Sequence, residues 1–136
     1  MVARPARERD LIIDMEAGLE HLSRGTGKDV TRLLAAIEPY YRSMETARRV
    51  AVLARELGIH NVSAVANKLR DDGDREAVRE FCRAHDLELI AEIPYDAGLL
   101  EAERAGSTPL DYNPASPAMV EVQRLADRLV GEGSSH

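Results

Sequence analysis

Four short apolar runs, each closing on a polar residue or a proline, constrain the fold more than any other feature of this chain. They are DLII running into Asp14, LLAAIE ending at Glu38, NVSAVAN ending at Asn67, and LELIAEI ending before Pro94. Amphipathic segments separate the later runs, which is the pattern of βαβ units and a mainly parallel sheet. Runs that are apolar at nearly every position suit strands covered by helices on both faces. The expectation is an α/β fold, a mainly parallel sheet of about four strands with flanking helices, Rossmann-like.

The helices are readable from periodicity and caps. SMETARRVAVLARELG places Met44, Ala47, Ala51, Ala54 and Leu57 on one stripe, with Ser43 as candidate N-cap and Gly58 as the stop. A second helix is expected from Asp74, carrying Val78, Phe81, Cys82 and His85, and a third from near Asp96 to Gly106. The last opens at Ser116-Pro117, a cap followed by proline at the first helical position, and runs to about Val130. Its inward residues would be Ala118, Val122, Leu125, Ala126 and Leu129, and residues 106–114 would be its linker. One domain then covers residues 1–130, and GEGSSH, residues 131–136, reads as a flexible tail or cloning remnant.

Composition narrows the partners. The chain has 136 residues, enough for a single domain with a sizeable core. Cys82 is the single cysteine, so an intrachain disulfide and a multi-cysteine metal site are excluded, and a reducing, cytoplasmic setting is expected. A net charge of -6, with 24 acidic residues against 18 basic ones and no basic block, argues against nucleic acid or an anionic membrane as partner. MVARPARER is basic but lacks the apolar stretch of an export signal, and no apolar run is long enough to span a bilayer.

The chemistry begins at Asp14. A carboxylate delivered by a buried strand and followed by Ala17-Gly18 faces a crevice where something positive sits, and in nucleotide-hydrolysing folds that is magnesium. Magnesium is held by one or two carboxylates together with substrate phosphates, so the acid needs a phosphate cradle beside it. No GxxxxGK[ST] sequence occurs. Gly25-Thr26-Gly27-Lys28 has neither a preceding strand nor a Ser or Thr after the lysine, and does not make a phosphate loop.

DMEAGLEHLSRGT, AAIEP, VANK and IPYD, in this order and spacing, resemble the carboxyl-terminal half of a MinD/ParA-like P-loop ATPase. The likeness is strongest to the CooC branch, accessory ATPases of nickel insertion into carbon monoxide dehydrogenase, and covers residues 10–130. The resemblance implies a partial P-loop NTPase fold whose phosphate-loop half is absent from these residues. It implies that Asp14 is the catalytic, magnesium-facing acid, acting through water, with Glu16 beside it. Residues 16–26, including Ala17, Gly18, Glu20, His21, Gly25 and Thr26, correspond to the second switch, which senses the γ-phosphate. Asn67 and Lys68 stand where the base is read, and Pro94, Tyr95 and Asp96 form the loop closing over adenine. ATP or ADP with magnesium would serve the intact family protein, and none is expected to be required by this chain. The Cys-x-Cys metal pair of CooC proteins has no counterpart, because no cysteine lies two residues from Cys82.

The residues themselves agree with these places and leave alternatives open. All four strand ends would share one edge of a parallel sheet, where open α/β sheets bind ligands. Asn67 offers both donor and acceptor to adenine, and Arg70 stands where a guanine reader wants a carboxylate. Asp14 is equally a helix N-cap, Asn67 a cap for the turn at Asp71-Asp72-Gly73, and Pro94 a strand terminator. His21 among acids reads as a hydrogen-bonded switch residue before a metal ligand. Tyr40 and Tyr41 would cover a core edge, and Cys82 would be a small core hydrophobe.

Two functions follow as expectations. One is a carboxyl-terminal part of a CooC-like ATPase, inactive alone for want of the phosphate loop and its lysine. The other is a non-catalytic module that pairs with a full-length ATPase, a separate chain bearing a P-loop, or a nickel-enzyme client. A homodimer is expected in either case, because the family's phosphate-loop strand would lie between the Asp14 and Glu38 strands and its slot cannot stay open.

Overall fold

The computed structural model describes residues 30–134 together with Val2–Ala3 and Ile12–Ile13. The elements in chain order are β1 (Val2–Ala3), β2 (Ile12–Ile13), β3 (Leu33–Ile37), α1 (Tyr41–Glu56), β4 (Val62–Leu69), α2 (Asp72–Ala84), β5 (Glu88–Pro94), α3 (Ala97–Arg104), α4 (Pro109–Tyr112) and α5 (Pro117–Ser134). β3, β4 and β5 form a parallel sheet in sequence order, with Leu33 opposite Val62 and Ser63 opposite Glu88.

The parallel sheet therefore has three strands where about four were expected. Ile12–Ile13, from the DLII run, pairs antiparallel with Val2–Ala3 in a separate ladder and not with β3. Two residues of ladder are too short to hold a place in a central sheet. Among the described residues, Val2 and Ala3 of the charged MVARPARER segment form one strand of that small ladder.

The central strand explains why the sheet needs helices on both sides. Residues 62–66 of β4 are buried without interruption, as a strand covered on both faces requires. Ala64 and Ala66 pack toward α1 and α2 with Ala47, Ala51, Ala54, Val78 and Cys82. Val65 points the other way, into a smaller cluster with Ile90, Ile93 and Ala118, flanked by Leu125 and Leu129 of α5. Alanines on α1 let the helix approach the strands closely, and Gly58, at φ 90°, closes it as expected.

Several boundaries differ from the sequence expectation, each for a local reason. α1 starts at Tyr41, so Ser43 lies inside its first turn and is not the N-cap; its Oγ accepts the Glu38 N–H at 2.9 Å. α2 starts at Asp72 because Asp71 caps it, accepting the Asp74 N–H at 2.8 Å. The expected linker contains the short helix α4, capped by Thr108 and opened by Pro109. α5 continues to Ser134, and Val122 and Ala126 are exposed on it, because α5 lies over β5 and leaves the rest of its apolar side uncovered by the described residues. Tyr40 and Tyr41 do not cover a core edge: they are 48% and 80% exposed.

Candidate functional site at the carboxyl edge of the sheet

β3, β4 and β5 run parallel, so their carboxyl ends meet at one edge, and the residues singled out there fall together. Glu38 follows β3, Asn67 and Lys68 lie near the end of β4, and Pro94 ends β5, with Tyr95 and Asp96 leading into α3. Asp14, Glu16, Ala17, Gly18, Glu20, His21, Gly25 and Thr26 lie outside the described residues.

β4 does not stop at Asn67 but continues to Leu69 through an irregularity. Ala66 pairs with Glu92 and Leu69 with Pro94, so β4 spends one more residue than β5 over this stretch. That extra residue is a bulge, a device that re-aims side chains next to sites. Lys68 adopts φ 57°, the left-handed region. For a side-chain-bearing residue this conformation costs about 1–2 kcal/mol. The bulge is closed on one side by the Tyr95 N–H, which donates to the Leu69 carbonyl at 2.7 Å. On the other, Lys68 Nζ reaches Glu38 Oε1 at 2.8 Å across the ends of β3 and β4, and this bond raises the lysine's pKa. An exposed ion pair of this kind contributes about 0–1 kcal/mol, which does not by itself offset the strain.

Asn67 sits half-buried in the bulge, and its side-chain amide has no hydrogen-bond partner among the described residues. A half-buried amide with no protein partner has its donor and acceptor available to a ligand. Tyr95, 55% exposed, stands at the end of the neighbouring strand.

Asp96 has a different local role. Its carboxylate caps α3 through the Gly98 N–H at 2.9 Å and reaches the Ala118 N–H at the start of α5 at 3.1 Å. The bond from Ala118, then those from Gly98 and the Ser116 hydroxyl, hold its pKa below the usual carboxylate range. Asp96 is thereby the anchor of the 94–96 loop.

Sequence reasoning named Arg70, Tyr40 and Asp74 separately but did not join them as the rim of this edge. The Arg70 guanidinium carbon lies 5.9 Å from the Tyr40 ring centroid, and Arg70 Nε and N–H both meet Asp74 Oδ2, at 3.1 and 2.9 Å. This bonding lowers the Asp74 pKa and raises that of Arg70. The i, i+4 spacing of Arg70 and Asp74 was the available signal. A shallow depression lined by Arg48, Ala51, Val52, Arg55 and His85 lies elsewhere, toward the carboxyl ends of α1 and α2. Its arginines are engaged, Arg48 with Glu45 and Arg55 with the Asp86 carbonyl. Among the described residues no three His, Cys, Asp or Glu side chains gather as a metal site, and no helix is long and apolar enough to cross a membrane.

No protein-family model matches the chain. The carbon monoxide dehydrogenase accessory protein CooC of Rhodospirillum rubrum is 40% identical over 109 residues, covering 80% of this chain and 41% of that protein. An uncharacterized ATP-binding protein of Methanocaldococcus jannaschii is 34% identical over 125 residues, covering 91% of this chain and 47% of its own length. Among solved structures, MinD of Aquifex aeolicus superposes with a TM-score of 0.67 at 23% identity, over 78% of this chain and 46% of that one. A ParA family ATPase of Chlorobium tepidum TLS gives 0.65 at 18% identity, over 78% and 44%. MinD of Pyrococcus horikoshii OT3, complexed with Mg-ADP, gives 0.60 at 18%, over 75% and 42%. The chain spans less than half the length of each of these proteins. The chain is similar in sequence to part of CooC and of ATP-binding proteins, and it carries the α/β fold seen in the MinD and ParA family structures.

Proposed function

We propose that this chain supplies the base-reading side of an adenine-nucleotide site in a CooC-like ATPase, with a role in nickel-enzyme maturation. The observation that carries the proposal is Asn67, a half-buried amide without a protein partner among the described residues, at the ligand edge of a parallel sheet. Asn67 would read the adenine edge, and Pro94 and Tyr95 would close over the ring. The Mg-ADP bound by one structural relative and the ATP-binding relatives support a nucleotide of this kind. Arg70 occupies the sequence position where a guanine reader wants a carboxylate, so adenine is favoured.

The phosphate end belongs to groups outside the described residues. Asp14 would face magnesium through water, with Glu16 and the switch segment around Gly18, His21 and Thr26 sensing the γ-phosphate. Magnesium, when bound, neutralises charge on the phosphates. Hydrolysis also needs a phosphate loop and its lysine, and these 136 residues contain no such motif.

The test is titration of the ¹⁵N-labelled chain with ADP and with GDP. ADP is expected to shift the Asn67 side-chain amide resonances, weakly and more than GDP does. An equal response to GDP, or an Asn67 amide that responds to neither, overturns the reading. A phosphate-release assay on the same preparation is expected to stay at background. If ADP does not bind but the chain dimerises or captures a P-loop chain, the non-catalytic module is the better account.

A further inference from the structure

We propose that Glu38 is a positioning residue for the base-reading amide, acting through Lys68. This rests on the adenine-nucleotide reading above, and it concerns the device that sets Asn67 in place. Asn67 and Lys68 share the bulge near the end of β4, so the left-handed turn at Lys68 and the placement of Asn67 are one conformational choice. Glycine or asparagine would adopt that turn at lower cost, yet the position holds a lysine. The lysine does something that neither of them can: its ammonium spans to Glu38 at 2.8 Å and ties the end of β4 to the end of β3.

Glu38 is itself held to receive it. Its backbone N–H donates to Ser43 Oγ at 2.9 Å, which fixes the chain between β3 and α1. The opposite flank of the bulge is fixed by the Tyr95 N–H on the Leu69 carbonyl. The two ties act from different strands, so releasing Glu38 frees the bulge on one side while the sheet remains intact. With both partners largely at the surface, the tie contributes little to global stability. Its consequence falls on the order of the bulge, and through it on ligand affinity.

The experiment uses the whole chain and ADP. In Glu38→Gln, the backbone shifts and the amide-to-α-proton coupling of Lys68 are expected to move part of the way from left-handed values, while the thermal midpoint falls by no more than about a few degrees. ADP affinity, read on the Asn67 side-chain amide, is expected to fall about two- to fivefold. The exchanged pair, Glu38→Lys with Lys68→Glu, should recover most of that loss. Lys68→Gly should keep the turn and bind better than Lys68→Ala, which keeps neither the tie nor an easy left-handed backbone. Unchanged Lys68 conformation and unchanged ADP affinity in Glu38→Gln overturn the positioning role. If Asn67→Ala abolishes the ADP response in that case, the adenine reading survives without it. If Asn67→Ala leaves ADP binding as it was, the adenine reading fails and the role of Glu38 falls with it.

Discussion

The carboxylate of Asp96 accepts the backbone N–H of Ala118, 22 residues further along, at 3.1 Å. Its other oxygen accepts from Gly98 at 2.9 Å, so a single side chain satisfies orphan donors at the starts of α3 and α5. This tie joins the candidate adenine loop to the helix that covers β5.

Replacing Asp96 with alanine removes both caps, and a loss of roughly 1–2 kcal/mol is expected in urea denaturation at neutral pH. The pH dependence has a definite sign. A carboxyl whose folded pKa lies below its unfolded value, about 3.9 for Asp, stabilises the fold above that value and loses the contribution as pH falls through the folded one. The gap between wild type and Asp96→Ala is therefore expected to narrow below about pH 4. A gap of equal size at pH 7 and pH 3 would show that the charged form is not what the helix ends recognise.

Gly98→Ala tests the same tie from the helix side. Alanine is favoured over glycine by about 1 kcal/mol inside a helix. At Gly98, however, an added Cβ would stand 3.0 Å from Asp96 Oδ1. The expected outcome is no gain in stability, with loss of protection at the Ala118 amide in hydrogen exchange. A full helix-propensity gain with Ala118 still protected would contradict this.

Cys82 is buried in the core between α2 and the sheet, and burial pushes its thiol pKa up. Because the thiolate is the reactive form, labelling by a thiol reagent in native buffer is expected to be slow and to become fast in denaturant. Rapid stoichiometric labelling of the native chain would mean that the α2 face is open in solution.

β3 carries a ladder to β4 alone among the described strands, and Leu34 on it is 40% exposed. An apolar strand edge of this kind invites pairing with a second copy. Light scattering at micromolar concentration is expected to report a dimer, and Leu34→Asp to shift it toward monomer. A stable monomer in the wild type would remove the homodimer from the account.

Much of this was legible from the residues. The LLAAI, VSAVA and LIAEI runs declared parallel strands because buried strands need apolar residues at successive positions, and the Ala47, Ala51, Ala54 stripe declared the helix that packs on them. That Asn67 lies near the carboxyl edge of the sheet was legible from the run, although the strand continues past it to Leu69. What could not be read was tertiary in origin. Nothing in the sequence told that Asp96 would reach Ala118, or that Ser43 would turn its hydroxyl to Glu38 instead of capping α1. The bulge at Lys68 was hidden for a similar reason: it exists only as a difference in residue count between β4 and its neighbour. DLII failed as a fourth parallel strand because apolar content does not specify the pairing partner.

The order of the strands has a consequence for how the chain acquires its structure. β3 pairs with β4 and β4 with β5, so each ladder closes over a single intervening helix, and neither has to await a strand from a distant part of the sequence. Loop-closure entropy for such neighbours is modest, and folding speeds rise as contacts become more local. Once β4 has docked on one neighbour, the second crossover adds to an existing template. The three strands and the two helices between them thus meet the conditions for a cooperative folding unit, one that assembles the edge bearing Asn67 and Tyr95 early and keeps its amides protected longest under native-state hydrogen exchange.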